Sequence, residues 1–502
     1  MDMDEEKENV VALVKNSGDQ ADEPVQPQPE AGQAPPANHV VITRTAREES
    51  SVWVDEQGCV WADVEIRGRA DSVEVRSMQF QRWLRDTLRA RGYPPPKKAA
   101  VTLAVEELDS WGAMQGPQFR RRLRVAHHEG RIYLDLANDA GEVVEITPEG
   151  WRVIPCAPVR FMRGASTLAL PHPVRGGSVE LLRPLVNASV EEHWVLMAGF
   201  LVGCFGTGPF PVLCLQGQHA RGKSTTMEVL RSVVDPDRVT RASRPRSVRD
   251  LMVAGQRRWV LSYDNLSGLS PDLSDALCVL ATGGAAAERR LYTNSEEVIH
   301  ERMAPTMCSG IDDIATRGDL VRRAIILDLP RLHAPSAEAS LRAQLREVRP
   351  RVLGALLDAV SMAMKGRGAG SPTTTDLSMV DHVEWVEGAA SSLGWNSGHY
   401  GEVYAAMQRT AYEREIDRDP VARALHQRVT AEGPLVGTTT EVMAALDDRF
   451  VDRAVRASSE WPKGPRGFSD AIRRAAPALR ALGVDADQGT GRARRTWTIR
   501  PI

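Results

Sequence analysis

"PVLCLQGQHARGKSTTMEVLRSVVD", residues 211–235, joins an apolar run to a glycine loop carrying one lysine, and then to an amphipathic segment. The apolar run has no alternation, which fits a strand buried on both faces. "KSTTMEVLRSVV" fits a helix. Between them, Gly217-Gln-His-Ala-Arg-Gly222-Lys223-Ser224 satisfies the phosphate-loop pattern G-x-x-x-x-G-K-[ST]. The glycines Gly217 and Gly222 let backbone N–H groups turn inward around phosphates. Lys223 would reach the β- and γ-phosphates, and the Ser224 hydroxyl would hold Mg²⁺. Thr225, in the first helical turn, can add a phosphate contact. A chance glycine-rich turn is the bland alternative, but it would lack the strand before and the helix after. The stretch therefore predicts ATP and Mg²⁺ as cofactors.

A phosphate loop needs a magnesium-holding carboxylate at the end of a neighbouring apolar strand. "RRWVLSYDNLS" supplies Asp264, which could otherwise merely cap the next helix. Asn265 stands where many ATPases place a glutamate as catalytic base. Either Asp264 alone serves both metal and water, or a carboxylate comes from elsewhere. "APTMCSGIDDI" ends a further strand at Ser309, a candidate γ-phosphate sensor. "TRGDLVRRAIILDLP" sets Arg317, Arg322 and Arg323 ahead of another buried strand. An arginine there can stabilise transition-state charge, or simply be a surface ion-pair partner.

The whole chain, 502 residues with 42% hydrophobic and 26% charged, suits about three globular domains. Six scattered cysteines without a C-x-x-C pair give neither a zinc site nor a disulfide framework, so a cytoplasmic location is expected. The acidic start "MDMDEEKENV" is no secretory signal. Residues 194–218 carry no formal charge, but "GCFGTGPFPV" interrupts them, so no membrane span is expected. Residues 1–36 hold nine acids against two lysines, and residues 459–502 hold nine bases against four acids. That asymmetry is a weak pointer to nucleic acid.

Along the chain, residues 1–40 read as a disordered acidic tail. Residues 41–185 read as a small N-terminal α/β domain, beginning with strands from Val41 to Val75 and including a strand meander over "LRVAHHEGRIYLDLANDAGEVVEIT". Within it, His127 and His128 read as turn residues rather than metal ligands. Residues 186–335 alternate strands and helices, which predicts a parallel sheet covered on both faces. Residues 336–435 are mostly helical. Residues 436–502 give a helix, "GFSDAIRRAAPALRALGV", carrying Arg473 and Arg474. Two strands follow around a turn holding Arg494 and Arg495. Helix then basic hairpin is a winged-helix layout for duplex DNA, although a basic amphipathic helix can also dock on protein.

The order of phosphate loop, "YDN", basic hairpin segment, sensor strand and arginine resembles the superfamily 3 helicases, an AAA+-related group. It is similar in particular to the phage and plasmid primase–helicase branch akin to the poxvirus enzyme. "RDLMVAGQRRWVLSYDNLSGLSPDLSDALCVLATGGAAAERRLYTNSEEV" is the most specific segment, and resembles ATPase domains carried on prophages and integrative elements. The resemblance implies an AAA+-like P-loop ATPase that assembles as a homo-oligomer, a hexameric ring acting on single-stranded DNA in replication. It implies nucleotide and magnesium roles for Lys223, Ser224 and Asp264. Arg323 would be the arginine finger, and a DNA-contacting hairpin near "AERRLYTNSEE" would carry Arg289, Arg290 and Tyr292. Ser309 departs from the asparagine usual there. Two other readings stay open: a non-unwinding AAA+ ATPase that binds DNA (an initiator, loader or defence-type switch), and a binding module with a vestigial loop.

Overall fold

The computed structural model describes residues 37–66, 68–164, 166–284, 286–289, 297–300, 303–311, 313–332, 337–366, 377–489 and 495–502, with backbone alone at 286–289 and 297–300. The expected acidic tail thus lies almost wholly outside the described residues. The chain divides into two compact units. The first holds residues up to 123 with 139–142 and 155–163, and the second holds 124–138, 143–154 and 164–502.

In the first unit, helices His39–Glu49, Met78–Ala90 and Lys98–Gln115 accompany an antiparallel sheet of Ser51–Val54, Val60–Ile66 and Arg69–Glu74. The opening helix corrects the expectation of strands from Val41. Its β-branched "VVIT" favours a strand, but the Asn38 side chain accepts from the Val41 N–H at 3.0 Å and caps a helix. Ile42, Thr45 and Ala46 then bury at helical spacing, Ile42 and Ala46 in one core with Phe80, Leu84 and Leu108. Tertiary burial overrides local propensity here.

The second unit contains the meander, Val125–His128, Arg131–Asp135, Val143–Thr147 and Gly150–Ile154, paired antiparallel in chain order. The sequence alone places these strands with the N-terminal domain, whereas the structure packs them against the long helix Glu338–Gly366. Trp151 Nε1 donates to Asp358 at 2.8 Å, and Ser361 Oγ donates to the Thr147 carbonyl at 2.6 Å. Arg124, 2% exposed, pairs with Asp235 at 2.9 Å and donates to the carbonyls of Asp135 and Leu168. A buried guanidinium needs that many acceptors to offset its lost hydration. These partners are distant in sequence, so no local pattern announced them.

A parallel sheet carries the site. Its strand order is Leu261–Tyr263, Thr306–Ser309, Val212–Gln216, Ala324–Asp328. All four strands are mostly or wholly buried, as an unbroken apolar run predicts. Strands Ala286–Arg289 and Glu297–His300 pair antiparallel outside this sheet.

The C-terminal module begins earlier than residue 436. Asp419 caps helix Pro420–Glu432, accepting from the Val421 and Ala422 N–H groups. Val421, Leu425 and Val429 share a core with Phe468, Ile472 and Leu479 of helix Pro465–Ala481. Helix Thr439–Ala445 and a sheet ordered Leu435–Thr438, Thr496–Pro501, Val484–Gln488 complete it. Among the described residues no helix is long and apolar enough to cross a membrane.

Two contacts in the second unit make stability predictions. A Cβ on Gly354 of the long helix would lie 1.9 Å from the Val174 carbonyl oxygen, a backbone atom that cannot swing away. Gly354→Ala should therefore cost about 2–3 kcal/mol or more in chemical denaturation, and a neutral result would contradict this packing. On helix His399–Arg418, burial, reinforced by Asp419 and Asp319, pushes the Glu415 carboxyl up to about 7. A folded-state value above the unfolded one means stability is lost as pH rises from about 4.5 to about 7. Glu415→Gln should stabilise the protein by on the order of 1–2 kcal/mol at pH 8, with the gain fading toward pH 5 in thermal melts. A gain independent of pH would refute the assignment.

Candidate nucleotide-binding site

Register sets the geometry. Leu215 pairs with Ser309, and Tyr263 pairs with Cys308, so Asp264 stands level with Ser309 at the carboxyl ends of adjacent strands. The loop from Gly217 leaves its own strand at the same edge. In parallel sheets this edge is where ligands bind. Gly217 has φ 130° and Gly222 φ 67°, and Gly222 ends the loop in the left-handed region immediately before helix Lys223–Val234. Both angles favour glycine.

Asp264 is the hub. Its Oδ1 accepts from Ser224 Oγ at 3.0 Å, from Ser309 Oγ and from the Asn265 N–H at 3.0 Å. Its Oδ2 accepts from Arg241 Nη1 at 3.1 Å. Burial pushes this carboxyl up, but the hydrogen bonds from Ser309 and Ser224 and the charge of Arg241 outweigh it. The group lies below the usual carboxylate range. Lys223 Nζ donates to the carbonyls of Gly217 at 2.6 Å and Gln218 at 2.8 Å. Burial lowers the Lys223 ammonium, with Asp264 opposing and Arg221 adding to the shift. The lysine thus spans the loop from within, where its ammonium is available to an anion. Ser224 and Asp264 are hard oxygen ligands held together, a donor set that fits Mg²⁺.

Of the residues singled out in the sequence, Lys223, Ser224, Asp264 and Ser309 come together. Thr225, part-buried, follows Ser224 in the first turn of the helix. Asn265 is exposed, at φ 57°, and joins through its backbone N–H rather than its side chain. Arg323 folds onto its own turn, its Nη1 donating to the Asp319 carbonyl at 2.8 Å. Arg317 pairs with Asp275 at 3.1 Å. Arg289 lies in strand Ala286–Arg289, while Arg290, Tyr292 and Arg494 fall outside the described residues. Arg495 is exposed.

Arg473 and Arg474 are exposed on helix Pro465–Ala481, but that face is not bare. It lines a cleft of about 920 Å³ whose lining also includes Arg317, Arg322 and Glu415. Arg473 is tied to Asp470 and to Gln488, each at 2.8 Å. The arginine face of this helix is therefore turned in part toward the helical region rather than wholly toward solvent.

Sequence reasoning missed four residues. Asn187, 5% exposed, donates through Nδ2 to the carbonyls of Arg221 at 2.9 Å and Pro330 at 2.8 Å, clamping the loop to the chain beyond the sheet. Arg231, buried, donates to Ser262 Oγ and the Val239 carbonyl, tying the helix after the loop to the segment bearing Arg241. Arg241 also pairs with Glu228, Nε to Oε1, at 2.8 Å. A polar residue in "VNAS" or "TRAS" carries no periodic signal, so only the fold reveals these contacts.

Residues 179–397 match the family model of the actinomycete integrative conjugative element replication protein. Residues 421–502 match the model of the C-terminal domain of the RepA protein of such elements. The similarity is to a mobile-element replication protein. The second match begins one residue after Pro420, where the C-terminal module begins in the structure. No curated protein matches the chain. Among solved structures, SCCmec type IV Cch, described as an active helicase, is 12% identical with a TM-score of 0.47, covering 90% of this chain and 93% of its own. The NrS-1 C-terminal region is 11% identical with a TM-score of 0.38, covering 93% and 100%.

The clamp gives a direct prediction. Asn187→Asp puts a carboxylate oxygen where an N–H₂ group now meets two carbonyls. Chemical denaturation should register a loss of about 2 kcal/mol or more. A change below about 0.5 kcal/mol, typical of exposed positions, would contradict the clamp.

Proposed function

We propose that this chain is a Mg²⁺-ATP-dependent DNA helicase or translocase of the superfamily 3 kind, acting in replication of a mobile element. The observation that carries the reading is the meeting of Ser224, Asp264 and Ser309 beside Lys223 at the carboxyl edge of a parallel sheet. The similarity to a conjugative-element replication protein supports the replication role. The sequence resemblance to superfamily 3 supports the motor and the hexameric ring.

Under this reading Lys223 exchanges the Gly217 and Gln218 carbonyls for the phosphates. The backbone N–H groups of the loop and the helix N-terminus favour the same anion. Ser224 and Asp264 would hold Mg²⁺, which supplies neutralisation of charge developing on the β- and γ-phosphate oxygens. Ser309 orients Asp264 through its hydroxyl. Arg323 sits on its own turn in the protomer and would serve the site of a neighbouring one. The strand pair 286–289 and 297–300, with Arg289 at the end of its first strand and Arg290 next in sequence, would contact single-stranded DNA. The C-terminal module, read as a winged helix, would bind duplex DNA through Arg495 and the arginines of helix Pro465–Ala481.

A second reading, a DNA-binding ATPase that does not unwind, is favoured by one observation: Asn265 brings only a backbone N–H to the site where a catalytic glutamate would stand. ATP turnover and displacement of a strand from a tailed duplex separate the readings. Lys223→Ala should lower turnover at least about a hundredfold, as loss of one preorganised charge-stabilising group does. Unchanged turnover would sink the nucleotide site altogether. Turnover without displacement at either tail polarity would sink the helicase reading and leave the second.

A further inference from the structure

With Asn265 in place of a glutamate, the end of the Asp264 strand brings one carboxylate where an aspartate–glutamate pair would be expected, yet a second carboxylate is present. We propose that Asp264 and Glu228 form a two-carboxylate magnesium site, and that Arg241 is its resident counter-cation, which the metal displaces. This rests on reading the loop as a Mg²⁺-ATP site.

A single guanidinium spans both acids. Arg241 Nε lies 2.8 Å from Glu228 Oε1, and Nη1 lies 3.1 Å from Asp264 Oδ2. Glu228 follows Ser224 by four residues on helix Lys223–Val234, so it lies on the same helix face, one turn on. Helical side chains lean toward the N-terminus, which brings the Glu228 carboxylate toward Ser224. Magnesium keeps several of its waters when bound. A carboxylate one turn from the Ser224 hydroxyl is suited to accept from such a water rather than to ligate directly.

The segment that carries Arg241 is pinned on both sides. Ala242 bridges to Tyr263, its N–H donating to the Ser262 carbonyl and its carbonyl accepting from the Asp264 N–H, each at 2.9 Å. Thr240 Oγ1 donates to Glu228 Oε1 at 3.1 Å, and the Thr240 carbonyl accepts from Arg231. The backbone is fixed next to the site, while the Arg241 side chain, 42% exposed, is free to swing outward. Arginine cannot lose its proton to vacate two carboxylates, so it must move. A divalent cation and a guanidinium would otherwise crowd the same pair of acids. Arg241 thereby makes metal entry a competition and keeps the acids from repelling each other before nucleotide arrives.

The test uses the full chain, Mn²⁺ as a paramagnetic probe and a fluorescent non-hydrolysable ATP analogue. Analogue affinity without metal is measured first, and then the Mn²⁺ concentration that half-saturates the complex. Arg241→Ala should lower that concentration by about two- to fivefold, the range expected for removing a partly exposed ion pair. Glu228→Gln should raise it by a similar factor. A general folding defect would weaken binding in both variants and cannot produce the gain. An unchanged or raised value for Arg241→Ala overturns the counter-cation role. An unchanged value for Glu228→Gln overturns the second carboxylate. If the wild-type chain binds no analogue at any Mn²⁺ concentration, the nucleotide reading itself fails, a result distinct from both.

Discussion

The Asp264 carboxylate is the point on which the site depends. It collects hydroxyls from two other segments, Ser224 from the helix after the glycine loop and Ser309 from the adjacent strand, together with the Arg241 guanidinium. Strand register fixes Ser309 beside Asp264, because strand 306–309 lies between the loop strand and the Asp264 strand. A part-buried carboxylate that accepts several hydrogen bonds is held ionised. It is therefore ready for a cation at any pH near neutrality. The same constraint ties helix 223–234, the sheet and the Arg241 segment into one unit.

Behind that edge, two buried arginines keep the frame from shifting. Arg231 joins the loop helix to the Val239–Thr240 carbonyls and to Ser262, and Arg124 joins the meander to Asp235 at the end of the same helix. Buried guanidiniums are poor sources of net stability. Their value here lies in geometry, since each fixes several carbonyls that no sheet or helix satisfies. Removing either would leave carbonyl acceptors such as those of Leu168 and Val239 without their donor.

Legibility in the sequence followed contiguity. The glycine loop could be read because strand, glycines, lysine and helix are consecutive. Asp264 and Ser309 could be read because each ends its own apolar run. Helix 39–49 could not, because β-branched residues in "VVIT" resemble a strand and the deciding Asn38 cap is a single residue. The meander's place in the second unit is hidden from the sequence because its partners, Asp358 and Ser361, are some two hundred residues away. The start of the C-terminal module at Asp419-Pro420 lay hidden in a charged run, although Asp followed by Pro is a helix-start signal. Glu228 and Arg241 belong to no motif, and only the fold brings Arg241 to both the Glu228 and the Asp264 carboxylates.

The central claim is that the Gly217–Ser224 loop is a Mg²⁺-ATP cradle organised by Asp264. The most direct measurement is a structure of the chain with Mg²⁺ and a non-hydrolysable ATP analogue. The account predicts Lys223 Nζ withdrawn from the Gly217 and Gln218 carbonyls onto the β- and γ-phosphates, with the metal between Ser224 and Asp264. An analogue bound elsewhere, with Lys223 still on those carbonyls and Ser224 still bonded to Asp264, would contradict it.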